Sequence, residues 1–170
     1  GKAAAASSSV PCALIFNECP FEQNVRQAIG AGFNLVMLAH VGMSFEAYTR
    51  QCSALARVAH SHGAAFEAEI GELPVGSTGE VIAAHASQTD PELAARFVSA
   101  VDVDLIDVSV GNVHILIGGQ RDLDLDRLAR IRERVDTPLG LHGGTGISSR
   151  SLQDAIRLGV VKVAYGTYLK

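Results

Sequence analysis

From Val10 onward the chain repeats one unit: a short apolar run, a polar or glycine-containing turn, then a longer segment with helical spacing. That alternation restricts the chain to an α/β fold with a parallel sheet, because strands of like direction need a crossover and a helix is the usual one. Strands are expected over residues 11–16, 33–38, 64–70, 104–110, 138–142 and 161–165. Most of these runs are apolar along their length, as strands covered on both faces must be. A helix over 21–31 follows Pro20, and a second, capped by Ser44, carries Phe45, Tyr48, Cys52, Leu55 and Val58 on one side. Asp90-Pro91 opens a third, with Leu93, Phe97 and Val101 four residues apart, and helices over 124–133 and 148–158 complete the set, the last stopped by Gly159. Residues 1–9 carry little information and read as the end of a helix or an appended tail, which leaves one domain over 10–170.

With 170 residues and 48% hydrophobic side chains the chain can bury one core. A net charge of -4 without a basic run removes the electrostatic footprint of nucleic-acid or anionic-membrane binding, so a small-molecule partner is expected. Cys12, Cys19 and Cys52 lack any C-x-x-C spacing, and there is neither a membrane-length apolar run nor a signal-like segment. A reducing, cytoplasmic setting is the expectation.

In parallel α/β folds the chemistry stands at the C-terminal ends of strands. There the sequence puts Asn17 and Glu18 after the first strand, His40 after the second, Glu67 and Glu69 in the third, His114 in GNVH after the fourth, and His142 at the start of HGGTG after the fifth. His114 and His142 are candidate metal ligands, with Glu18 as a third; two imidazoles and a carboxylate leave coordination positions open and do not by themselves fix the metal. The alternative for each histidine is a hydrogen-bonded loop residue. Gly143, Gly144, Thr145 and Gly146, leading to a helix opened by Ser148, suit a phosphate together with Gly166 and Thr167 after the last strand; the alternative is that the glycines serve tight turns only.

The segments AHSHGAAFEAEIGEL, TDPELAARFV, VDLIDVSVGNVH, LDLDRLARIRERVDTPLGLHGGTGIS and LGVVKVAYGT resemble the second part of the class II, metal-dependent ketose-bisphosphate aldolases, the fructose- and tagatose-bisphosphate aldolase family. The resemblance runs from about Val10 to the end. It implies a TIM-type (β/α)8 barrel of which this chain covers about strands 3 to 8, an incomplete barrel whose edges need cover. It also implies a lyase of carbohydrate metabolism and glycolysis, acting on a phosphorylated sugar or related carbonyl compound, and a homo-oligomer. Zinc is the expected ion, with Mn2+, Co2+ or Fe2+ as alternatives.

The resemblance assigns His114 and His142 as metal ligands and places a family Asp-His pair where this chain has Asn17-Glu18. Glu18 replaces the lost ligand with a carboxylate oxygen. Asn17 cannot replace the aspartate, because an amide neither takes nor gives a proton near neutral pH. Glu69 matches a family glutamate beside the metal and is a further candidate ligand and catalytic residue. Ile115, Ala164, Ala39 and the stretch LPVGSTGE, with Glu80 its one acid, also depart from the family pattern. The expected function is therefore metal-assisted aldol cleavage or condensation with an altered catalytic pair. The alternative is a catalytically silent paralogue that binds a phosphorylated metabolite or serves as a subunit partner. A doubly wound nucleotide-binding domain ranks last, since no G-x-G-x-x-G follows the first strand.

Overall fold

The computed structural model describes residues 2–71, 75–77, 80–82, 88–113 and 120–166. The chain divides into two compact units, residues 1–68 with 99–104 and residues 69–98 with 105–170.

The first unit holds α1 (Lys2–Ala6), β1 (Ile15–Cys19), α2 (Glu22–Gly30), β2 (Leu35–Leu38), α3 (Phe45–Ser61) and most of β3 (Ala65–Ile70). The three strands pair in parallel, Ile15 opposite Leu35 and Leu35 opposite Ala65. Ser44 caps α3 as its sequence predicts, its hydroxyl accepting from the Ala47 amide at 3.2 Å. Tyr48, Cys52, Leu55, Ala56 and Ala59 form the buried stripe of α3. Phe45 and Val58, expected on that stripe, are only half-buried, since the helical period of 3.6 carries the apolar face toward Ala56 and Ala59. The Tyr48 hydroxyl donates to the Leu38 carbonyl, tying the helix to the end of β2. Asp104 Oδ2 accepts from the Phe66 amide at 2.7 Å and from His60 at 2.8 Å, which anchors the start of β3.

The second unit holds the end of β3, the short strands β4 (Val75–Ser77) and β5 (Glu80–Ile82), α4 (Pro91–Ala100), β6 (Leu105–Val108), α5 (Leu125–Arg132), β7 (Leu139–Leu141), a 3-10 turn over Gly144–Gly146, α6 (Ser149–Arg157) and β8 (Val160–Val163). Strands β6, β7 and β8 run parallel, and every residue of β6 and β7 is buried, as in a parallel sheet covered on both faces. The N-terminus of each helix is capped where the sequence places a short polar side chain. Asp90 accepts from the amides of Glu92 and Leu93, Asp124 from Arg127, and Ser148 from Ser151. Gly159, at φ 98, ends α6.

One expectation needs correction. The first strand runs over Ile15–Cys19 rather than 11–16, so Asn17 and Glu18 lie inside it and not after it. The register slips between Phe16 and Cys19, and a bulge of this kind lets two polar residues stand in a strand that continues to the buried Cys19. An antiparallel pair begins within LPVGSTGE and ends just beyond it, with Val75 opposite Ile82 and Ser77 opposite Glu80. Among the described residues no helix is long and apolar enough to cross a membrane.

Candidate metal and phosphate site

In the first unit the bulge of β1 sets the geometry of Asn17 and Glu18. Glu18 has φ 46, a left-handed conformation that costs a non-glycine residue about 1 kcal/mol or more and is commonest where a side chain is held for a purpose. Asn17 Nδ2 donates to Glu18 Oε2 at 3.0 Å, so the amide fixes the carboxylate rather than offering a proton-transfer group of its own. His40 stands after β2, where its Nε2 donates to the Met43 carbonyl at 2.9 Å and its ring lies 4.7 Å from that of Tyr48. That bond braces the loop.

In the second unit His142 follows β7 and is 1% exposed. Its Nδ1 lies 3.4 Å from Glu69 Oε2 at the end of β3, and its Nε2 lies 3.4 Å from Asp107 Oδ2 in β6. Glu67 is two residues before Glu69 on β3, so it shares that strand face, and it is fully buried. An imidazole with a carboxylate beside it is a donor set suited to a divalent ion, and Glu69 with His142 is the part of that set the second unit brings together.

The GNVH and HGG loops are clamped to each other. Asn112 Nδ2 donates to the carbonyls of Val108 and His142, while Asn112 Oδ1 accepts from the Val110 amide. Gly143, at φ 69, passes so close to the GNVH backbone that a Cβ there would stand 2.2 Å from the Val113 carbonyl oxygen. The backbone leading to His114 is thus held against His142; His114 itself and Thr167 lie outside the described residues.

Gly143, Gly144, Thr145 and Gly146 form the tight turn that precedes α6, and Gly166 is exposed beyond β8. The amide of Gly144 donates to the Ala164 carbonyl, that of Gly146 to Gly143, that of Ile147 to Gly144 and that of Ser148 to Arg121. The Ser148 hydroxyl donates to Asp122. The bond to Ala164 seats the turn against the end of β8, and those to Arg121 and Asp122 tie it to the segment before α5.

Sequence reasoning missed Asp107 and Gly140, which are register partners across β6 and β7. The signals were present: an aspartate inside an apolar strand run, and a glycine inside another, which marks a close approach.

The family model for class II fructose-bisphosphate aldolases matches residues 1–170. The chain belongs to the class II fructose-bisphosphate aldolase family. Solved structures agree with this aldolase assignment. The YdjI aldolase from Escherichia coli K12 is 29% identical with a TM-score of 0.80, over 98% of this chain and 57% of that one. A Coccidioides immitis protein described as a candidate fructose-1,6-biphosphate aldolase is 29% identical with a TM-score of 0.82, over 95% and 58%. Fructose-bisphosphate aldolase from Campylobacter jejuni, 21% identical with a TM-score of 0.72 over 94% and 53%, shares the fold. This aldolase-family chain therefore spans less than two thirds of the length of these relatives. Class II aldolases depend on a divalent metal, and the Glu69–His142 pair has the chemistry to hold one.

Proposed function

We propose that the chain carries the metal and phosphate half of an aldolase that cleaves or condenses a phosphorylated ketose or related carbonyl compound, with an altered catalytic pair at Asn17-Glu18. In this reading it covers strands 3 to 8 of a (β/α)8 barrel, acts in the cytoplasm and assembles as a homo-oligomer. His114, His142 and Glu18 hold the ion, zinc first among the divalent metals, and Glu69 is a further ligand. The observation that carries the reading is the clamp between GNVH and HGG, which ties the backbone of the two histidine loops together beside Glu69.

When bound, the ion supplies Lewis-acid stabilisation of the negative charge that grows on the ketose carbonyl oxygen as the C-C bond breaks. The remaining work belongs to side chains. Asn17 orients Glu18 through its 3.0 Å bond, and proton transfer falls to Glu18 or Glu69, since Asn17 cannot take a proton. Phosphate recognition is assigned to the Gly143–Gly146 turn, Thr145 included, together with Gly166 and Thr167.

The second reading, a silent paralogue, draws its support from Asn17 alone. A panel of phosphorylated ketoses separates the two, with aldehyde release scored before and after EDTA treatment. Cleavage of at least one substrate, lost with EDTA and in His142→Ala, is the expected result. No cleavage by the parent, with activity gained in Asn17→Asp, would put the silent reading in its place.

A further inference from the structure

We propose that Thr89 is a positioning residue for the Glu69–His142 pair: its hydroxyl joins the end of β3 to the end of β6 and so sets where Glu69 stands relative to His142. The ion that the pair would hold rests on the reading above; the coupling rests on hydrogen bonds within the second unit.

Thr89 is fully buried and comes one residue before Asp90, the cap of α4. Its hydroxyl donates to the carbonyl of Ile70, the residue after Glu69, and accepts from the Ser109 amide at 2.7 Å. The partners settle the direction of both bonds, because a carbonyl only accepts and an amide N–H only donates. The backbone of Thr89 is held as well. Its amide donates to the Ser109 carbonyl at 2.8 Å, and its carbonyl accepts from Arg127 Nη1 at 3.1 Å.

From Ser109 the path continues to His142. Asn112 spans Ser109, its Oδ1 accepting from the Val110 amide at 2.8 Å and its Nδ2 donating to the Val108 carbonyl at 3.2 Å. The same Nδ2 donates to the His142 carbonyl at 3.0 Å. Ser109, Asn112 and His142 are each 1% exposed. Away from water a hydrogen bond that opens is not replaced by solvent, so a run of buried bonds passes a displacement along rather than absorbing it. This run starts beside Glu69 and ends on His142, whose Nδ1 lies 3.4 Å from Glu69 Oε2. Two groups that meet one ion tolerate little error in their spacing, and the groups behind them set it. A hydroxyl both donates and accepts at one atom, which is what an amide and a carbonyl converging on one point require. Serine supplies that atom too, whereas valine keeps the shape of threonine and supplies neither function.

Zinc affinity, read by competition with a chromophoric chelator, tests the proposal in the parent, Thr89→Ser, Thr89→Val and Ile131→Val. Ile131 is buried in α5 and outside the hydrogen-bonded run, so its truncation loosens packing without touching those bonds. Zinc binding about 10-fold weaker in Thr89→Val, close to the parent in Thr89→Ser and unchanged in Ile131→Val is expected. Parent-like affinity in folded Thr89→Val, or an equal loss in Thr89→Ser or Ile131→Val, would overturn the proposal. Thr89→Ala removes the hydroxyl without pressing a methyl against an amide and a carbonyl, and it takes the place of Thr89→Val if that variant does not fold. Absence of zinc binding by the parent would instead overturn the metal reading, and NMR of the metal-free chain then decides Thr89. The ring protons of His142 should shift in Thr89→Val and keep their positions in Thr89→Ser; ring signals unmoved in Thr89→Val would overturn the coupling.

Discussion

Gly143→Ala separates steric clamping of the two histidine loops from simple backbone strain. The substitution meets two penalties. At φ 69 a side chain sits in the left-handed region, worth about 1–2 kcal/mol. Its Cβ would also lie 2.2 Å from the Val113 oxygen and 2.7 Å from the Val113 carbonyl carbon, backbone atoms that cannot rotate away, and overpacking of this kind adds about 1–3 kcal/mol. Gly63 is the control, since it has φ 71 and nothing within 4 Å of its ideal Cβ. Gly63→Ala therefore reports the left-handed penalty alone. Urea unfolding of both variants should show lower midpoints at unchanged slope, with Gly143→Ala costing about 2–5 kcal/mol, roughly 1–3 more than Gly63→Ala. At about 2–4 °C per kcal/mol for a chain of this size, Gly143→Ala lowers Tm by on the order of 10 °C. Equal costs for the two substitutions would refute the clamp.

Ser148→Ala removes the cap of α6 and the partner of Asp122, and should cost about 1 kcal/mol in urea unfolding. Asp104→Ala strips an acceptor from the Phe66 amide and should cost about 1–2 kcal/mol, with Asp104→Asn costing less because its amide oxygen still accepts. Burial pushes the Cys52 thiol up to about 12 from 9.0, against a smaller opposing effect of the Tyr48 hydrogen bond. The folded state therefore favours the protonated thiol, and this contribution is complete below pH 9 and lost as pH rises toward 12, where the unfolded chain binds fewer protons. Thiol reagents at pH 8 should label exposed Cys12 in the folded protein and Cys52 only after unfolding.

Helix starts were the most legible part of the sequence, because a cap is a local event: Ser44, Asp124 and Ser148 each accept from an amide of the first turn as their type and position predict. The end of β1 was not, since a bulge puts polar Asn17 and Glu18 inside a strand and leaves no period to read. In the site, HGG and GNVH were legible as motifs. The reason they adjoin was not, because it depends on Asn112 bridging two carbonyls and on a missing Cβ at Gly143. Asp107 escaped because a buried charge is intelligible only from its neighbours, here His142 across one strand and Gly140 opposite.

Metal stoichiometry of the chain purified without chelator, set beside that of His142→Ala, tests the central claim most directly. The account predicts about one divalent ion per chain, lost in the variant while the fold persists. A parent without stoichiometric metal, or a variant that retains its ion, would contradict it.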